Sequence, residues 1–174
     1  MNFELDKSIE ILKRTPQVID TLLTGLSEEW YRNNEGKTTW SPYDVVGHLI
    51  FGEKTDWIVR IKIILDESEN KRFEPFDRFA QLNEDQNKPI DTLIKEFKIL
   101  REKNLEELAS LKITSKDFNR VGIHPEFGPV TLQQLISTWA VHDLGHIAQI
   151  SRVMAKQYSK EVGPWINYLG VLKN

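Results

Sequence analysis

Two histidines four positions apart, His142 and His146, are the residues of this chain best suited to chemistry. They lie in a mostly apolar stretch with helical periodicity, and residues at i and i+4 share one face of a helix. Leu135, Trp139 and Ile150 recur on or beside that face, which predicts that it is buried. Buried imidazoles need partners for their ring nitrogens. The pair is therefore either a set of hydrogen-bonded core histidines or two ligands of a metal site.

His48 is the candidate third ligand of such a site, and its alternative is a hydrogen-bonded histidine in the core. It lies one turn after Asp44 on another apolar helical stretch, flanked by Val45 and Leu49. Three neutral imidazoles without an anionic ligand leave coordination positions open, which is typical of a catalytic rather than a structural metal. Such an ion would lower the pKa of a bound water or activate a thiolate or carbonyl of a substrate.

A peptidase motif is a weaker interpretation of the same segment. Residues 142–146 nearly match H-E-x-x-H, in which the glutamate is the general base of a zinc peptidase. Asp143 is a methylene shorter than that glutamate, and no histidine follows His146. Glu161 is the available downstream carboxylate, but it falls beyond the expected end of the helix.

The composition narrows the class of protein further. A length of 174 residues is enough for one filled core and short for two, so we expect a single domain over 1–174. The 23 Lys and Arg against 26 Asp and Glu give no basic footprint for nucleic acid. Neither a signal peptide nor a membrane span is evident, so we expect a cytoplasmic protein. Without cysteine, any metal must be held by imidazole or oxygen.

Four long helical segments are expected to position the histidines. Apolar residues recur with a period of 3.6 residues, and strand signals are almost absent. Ser41 and Thr131 are expected N-caps, and Pro16 is expected either to kink or to restart the first segment. The expected ranges are 5–26, 41–65, 89–111 and 131–157. This pattern predicts an all-α protein with the architecture of a four-helix bundle.

With these residues assembled, the chain resembles the DinB superfamily in its YfiT-like branch of metal-dependent hydrolases. The matching pieces are residues 25–29, 40–49 and 131–150, and the specific feature is one histidine on the second helix combined with H-x3-H on the fourth. The resemblance implies a DinB/YfiT-like four-helix bundle, a homodimer, and a divalent metal ion, zinc or nickel, on His48, His142 and His146. It also implies either hydrolysis or S-transfer, the latter with bacillithiol or another low-molecular-weight thiol as cosubstrate.

Our leading hypothesis is a metalloenzyme that activates a low-molecular-weight thiol or a water molecule for attack on a small molecule. Asp143 is the predicted catalytic residue, either as a general base or by accepting the N–H of a ligand imidazole; its alternative is a carboxylate on the helix surface. One alternative is a non-enzymatic, stress-related helical protein with a structural or vestigial metal. Another is a metal-free bundle that binds a partner.

Several further residues have both a functional and a structural interpretation. The carboxylates of Glu53 and Asp56 are either proton shuttles or solvated groups. His124, beside Pro125, is either a rim residue of the pocket or exposed. The loop arginines Arg72, Arg78 and Arg120 either contact an anionic cosubstrate or are surface charges. Gln149 and Arg152 either touch a substrate or a partner subunit or make solvated or inter-helix contacts. Trp40 and Trp139 are expected in the core, where they can also form a wall of the pocket.

Overall fold

A computed structural model describes residues 2–84 and 86–173 of the chain. The α-helices are α1 (Leu5–Leu23), α2 (Glu28–Arg32), α3 (Pro42–Thr55), α4 (Trp57–Leu65), α5 (Ile90–Ser110) and α6 (Leu132–Lys156). Short 3-10 helices span Ala80–Asn83, Gly163–Asn167 and Gly170–Leu172. The four long helical units are α1, α3 with α4, α5, and α6, which confirms the predicted four-helix bundle.

The two predicted N-caps form capping boxes. The hydroxyl of Ser41 accepts the backbone N–H of Asp44, whose carboxylate accepts the N–H of Ser41. Thr131 and Gln134 make the same reciprocal pair at the start of α6. Because each box satisfies two backbone donors that the first helical turn leaves free, it fixes where a histidine-bearing helix begins.

The second helical segment is not continuous, contrary to our prediction of one helix over 41–65. Asp56, with φ −114° and ψ −76°, separates α3 from α4. The break places the indole of Trp57 against Gly52, where a Cβ atom would lie 3.2 Å from Nε1. From there the indole stacks on Trp139 at 5.8 Å. Packing of this ring thus overrides the helical periodicity of the segment.

Helix α1 runs through Pro16 without restarting. Proline has no N–H, so the carbonyl of Leu12, four residues earlier, loses its helical donor. The guanidinium of Arg101 on α5 replaces that donor, because its Nη1 lies 2.8 Å from the oxygen of Leu12. Leu26, which we expected within this helix, lies beyond its end at Leu23.

A β-hairpin precedes α6, and our prediction that strands are almost absent missed it. Strand β1 (Val121–His124) pairs antiparallel with β2 (Gly128–Thr131). Gly128 supports the turn with φ +72°, a backbone conformation that glycine adopts without strain. The signal was present in β-branched residues on both sides of a segment that contains proline and glycine. The hairpin is short, and its tip reaches the functional cavity described below.

The bundle core lies between helices that pack in a closed ring. Helices α1 and α3 each pack against both α5 and α6. One apolar cluster fills the end near Ile19, Val46 and Phe97, and a second surrounds Trp57 and Trp139. In the part of the chain that the structure describes, every helix is too short or too polar to cross a lipid bilayer.

Candidate metal centre

Three histidines from two helices meet at one point between the clusters. Nε2 of His142 lies 3.2 Å from Nε2 of His48 and 3.0 Å from Nε2 of His146. One ligand nitrogen from each of the three lies within 4.8 Å of the other two. His48 comes from the middle of α3, and the i, i+4 pair comes from α6. The structure therefore brings together all three residues that the sequence singled out.

The spacing of these nitrogens fits a metal ion. Zinc–imidazole bonds of about 2.0–2.1 Å at tetrahedral angles place two ligand nitrogens roughly 3.3–3.4 Å apart. The two short nitrogen–nitrogen distances are close to that value. Three nitrogen ligands suit zinc and nickel alike, so the donor set does not select between them.

Burial keeps the imidazoles in the neutral form that binds metal. Burial, reinforced by the charge of His146, lowers the pKa of His48 to about 3. Burial, followed by the charges of the other two histidines and Arg101, lowers the pKa of His142 to about 2. Burial also lowers the pKa of His146, against the opposing effects of Gln149 and Asp143. At neutral pH no proton has to leave these rings before an ion binds.

Gln149 orients one of the three rings. Nδ1 of His146 lies 2.9 Å from Oε1 of Gln149, and because that oxygen only accepts, the ring donates Nδ1–H to it. The lone pair is then left on Nε2, which faces the other two histidines. Among the described residues, Nδ1 of His48 and Nδ1 of His142 have no hydrogen-bond partner. Aromatic packing constrains those rings instead.

Aromatic side chains enclose the histidine cluster. Trp40 lies 4.7 Å from the ring of His48, and Phe76 meets the same ring edge-on at 5.4 Å. Trp57 meets the ring of His142 edge-on at 5.0 Å. These rings form apolar walls beside the imidazoles. Trp40 has the dual role that the sequence suggested, in the core and on the pocket wall.

A cavity of about 610 Å³ adjoins the cluster and is lined by all three histidines. Its size is typical of a small-molecule site. Phe76 and Phe127 supply apolar wall, and the charged residues that line it are Asp56, Arg60, Arg78 and Glu126.

Asp56 is the carboxylate of the cavity wall whose acidity is most altered. Burial raises its pKa to about 6, against the charge of Arg60. Nε of Arg60 lies 2.6 Å from Oδ1 of Asp56, but this oxygen has no hydrogen bond of acceptable angle among the described residues. The guanidinium therefore compensates the burial of the carboxylate only in part. Asp56, whose plainer interpretation was a solvated group, is 7% exposed.

His124 lies on the cavity wall outside the three-histidine cluster. Its Nδ1 accepts the backbone N–H groups of Glu126 and Phe127, each at 3.2 Å, and its ring stacks on Phe127. These contacts place the ring proton on Nε2. His124 is therefore a half-buried rim residue that stabilises the hairpin tip.

Asp143 points away from the cluster that its neighbours form. Both of its carboxylate oxygens accept hydrogen bonds from Arg101, at 2.5 and 3.0 Å, and the side chain is fully buried. It makes no hydrogen bond to any of the three imidazoles. The sequence did not single out Arg101, because its partner Asp143 is 42 residues further along the chain and on another helix. The catalytic role of Asp143 stays a prediction.

Glu53 belongs to the same buried network and not to the cavity wall. Its Oε1 accepts from Arg101 at 2.8 Å and from the indole N–H of Trp139 at 3.1 Å, and its Oε2 accepts from Asn104 at 2.9 Å. These bonds occupy both oxygens of the carboxylate, so it has a structural role in the bundle.

The remaining arginines differ in their surroundings. Arg152 pairs with Glu35 at 2.7 Å, away from the histidines. Arg120 donates to the carbonyl oxygen of Leu65 at 2.6 Å and also pairs with Glu67. Arg72 and Arg78 are both exposed, but only Arg78 lines the cavity.

The sequence of this chain matches a known protein family. The model of the DinB superfamily matches residues 11–150, a range that contains all three histidines and both helices that bear them. The chain belongs to the DinB superfamily. Two proteins are similar to this DinB protein over most of its length.

The first relative is a protein of Oceanobacillus iheyensis, named as a proposed metal-dependent hydrolase. It is 25% identical over 158 residues, which are 90% of this chain and 89% of the relative. The second is the structure of YfiT from Bacillus subtilis, described as a probable metal-dependent hydrolase with an unusual four-helix bundle topology. It matches with a TM-score of 0.73 and 20% identity, over 91% of this chain and 87% of YfiT. At that identity the likeness establishes the fold.

Proposed function

We propose that this DinB protein is a divalent-metal-dependent enzyme that acts on a small molecule. In this proposal His48, His142 and His146 hold zinc or nickel, and the substrate enters the adjoining cavity. The observation that carries the proposal is the convergence of three neutral imidazoles, one buried and two half-buried, on a wall of a 610 Å³ cavity. When bound, the ion supplies Lewis acidity that lowers the pKa of a water molecule or a thiol. The names of the two relatives are consistent with this chemistry.

Hydrolysis is the reaction that the residues of the cavity favour. Asp56 lines the same cavity as the histidines, and its pKa of about 6 lies near the pH at which a general base works best. A carboxylate in this position can accept a proton from water as the water attacks. Arg60, 2.6 Å away, holds the carboxylate in place and stabilises its charged form.

Thiol S-transfer is the second candidate. The cavity has room for a thiol such as bacillithiol, or part of it, beside a small electrophile, since sites for single drug-sized ligands occupy about 300–1,000 Å³. Such a reaction needs no protein cysteine, and this chain has none.

The three-ligand cluster argues against a purely structural metal. Structural zinc sites are usually closed by four protein ligands. Among the described residues, the group that could hold an ion consists of three histidines without a cysteine or carboxylate. A non-enzymatic protein with a vestigial site remains the alternative to be tested. The homodimer and the cytoplasmic location implied by the resemblance also stay predictions, and light scattering on the purified protein tests the first.

The experiment combines zinc- or nickel-loaded protein with a panel of small esters, amides and epoxides, with and without a low-molecular-weight thiol. Mass spectrometry distinguishes products that have gained water from products that have gained the thiol. We expect water addition that stops in His142→Ala and falls about 100-fold in Asp56→Asn, with the metal content of Asp56→Asn unchanged. Thiol addition insensitive to Asp56→Asn would establish S-transfer instead. Turnover that is equal in wild type and His142→Ala would contradict the proposal.

A further inference from the structure

Among the residues that line the cavity, one cation has no ion pair within the described part of the chain. Arg60, the other cation of the cavity wall, pairs with Asp56. Arg78 lines the cavity and has no salt bridge to any described residue. An arginine in that position is available to a ligand.

Aromatic rings hold the guanidinium of Arg78 in place. It lies 5.2 Å from the ring centre of Phe79 and 5.8 Å from that of Trp40. Trp40 in turn packs on the imidazole of His48 at 4.7 Å. Arginine can stack on an aromatic ring and still present its N–H groups at the edge of the guanidinium plane. The side chain is thus positioned by aromatic contacts, and its hydrogen-bond donors have no partner among the described residues.

The cavity is electrically asymmetric. The guanidinium of Arg78 lies against the ring of Trp40, which packs on His48, so this cation lies toward the histidine end. Glu126, the other charged residue of the wall that has no ion pair among the described residues, lies at the hairpin tip beside His124. A negatively charged group is therefore attracted to the end of the cavity nearest the histidines.

We propose that Arg78 binds an anionic group of the molecule that reacts at the histidine cluster. The substrate class is then a small molecule that carries a carboxylate or another anion close to its reacting atom. The planar fork of a guanidinium can donate two parallel hydrogen bonds to such a group. This inference rests on the proposed function, because it needs an ion on the three histidines to hold the reacting end.

The test measures binding, and does not depend on the reaction. Protein loaded with cobalt(II) is titrated with mercaptoacetate and with its neutral counterpart mercaptoacetamide, and the cobalt–thiolate absorption band reports each dissociation constant. Mercaptoethanesulfonate and mercaptoethanol form a second pair, which distinguishes a tetrahedral anion from a planar one. The variants are Arg78→Gln, Arg78→Lys and the matched control Arg72→Gln, which removes an exposed arginine outside the cavity wall.

In wild type we expect at least one anion to bind about fivefold more tightly than its neutral partner, the size expected for a partly exposed charge pair. This preference should disappear in Arg78→Gln, persist in part in Arg78→Lys, and remain unchanged in Arg72→Gln. Cobalt and thiol binding without a preference for either anion, or with a preference that survives Arg78→Gln, overturns the role of Arg78 alone. Failure of wild type to bind cobalt overturns the proposed function and this inference with it.

Discussion

Nη1 of Arg101 donates a hydrogen bond of 2.8 Å to the carbonyl oxygen of Leu12, the group that Pro16 leaves without a helical donor. The same guanidinium donates to Asp143 on α6 and to Glu53 on α3. One side chain, 1% exposed, thereby joins the four long helical units. The bundle therefore uses a buried ion network beside the histidines to fix the relative positions of the helices that bear them.

Replacing Arg101 with methionine should destabilise the fold strongly. The change leaves the carboxylates of Glu53 and Asp143 buried without their cation, which costs about 3–5 kcal/mol when one partner of a buried pair is removed. Urea denaturation of the metal-free protein measures the loss. Lys62→Ala is the control, because it removes the exposed pair with Glu107 and should cost less than about 1 kcal/mol. Equal stabilities of the two variants would show that the network contributes little.

Asp143→Asn separates a structural from a catalytic role of this residue. The asparagine is nearly isosteric but weakens both hydrogen bonds from Arg101, so we expect the unfolding free energy to fall by about 1–3 kcal/mol. We also expect its remaining activity to keep the wild-type pH profile. A variant with wild-type stability and abolished turnover would instead support the catalytic role predicted from the sequence.

Gln149→Ala should weaken metal binding without removing it. The amide oxygen of Gln149 orients His146, and loss of such an outer partner typically lowers metal affinity about 10- to 100-fold. Competition with a fluorescent zinc chelator measures the change. Gln133→Ala removes an exposed glutamine from the same helix and should leave the affinity unaltered. An unchanged metal affinity in Gln149→Ala would show that Gln149 does not orient His146 for metal binding.

The metal-free protein should lose stability as the solution becomes acidic. The pKa values of His48 and His142 are lowered from 6.5 to about 3 and about 2, so below pH 6.5 the unfolded chain binds protons that the folded chain does not. Each imidazole then costs up to about 1.4 kcal/mol per pH unit until the pH approaches its folded pKa. Asp56 has the opposite effect on stability. Because its pKa is raised in the folded protein, its contribution to the unfolding free energy decreases as the pH rises toward 6.

The comparison that isolates the histidines uses a His48→Gln/His142→Gln double variant. Urea denaturation with a chelator at about pH 7.5 and about pH 5.5 gives the loss of stability for each protein, and the contribution of Asp56 is common to both. We expect a smaller loss in the double variant than in wild type. The same loss in both proteins would mean that the imidazoles are not held neutral by burial.

The sequence was sufficient to predict the helices whose boundaries depend on local signals. The caps at Ser41 and Thr131 were found because a capping box is a pattern of four consecutive residues. The break at Asp56 was missed, because it depends on the packing of Trp57 against Trp139 on another helix. The hairpin was missed because each strand has only four residues, too few for a clear period.

The candidate site, like the fold, was predictable only where local sequence signals determine it. Helical spacing brought His142 and His146 together, and the apolar face of the second helix indicated His48. The partners of Asp143, Glu53 and Gln149 could not be predicted, because a carboxylate or amide on a helix has the same local sequence signal whether it binds arginine, histidine or water. Arg78 was one of several loop arginines until the fold placed it on the cavity wall.

Metal content tests the central claim most directly. Wild type, His48→Ala, His142→Ala and the control His124→Ala are purified without a histidine tag, incubated with zinc or nickel, desalted and measured by elemental analysis. The account predicts one ion per chain in wild type and His124→Ala, and loss of the ion in both other variants. No ion in wild type, or an ion that persists in His48→Ala at full occupancy, would contradict the three-histidine centre.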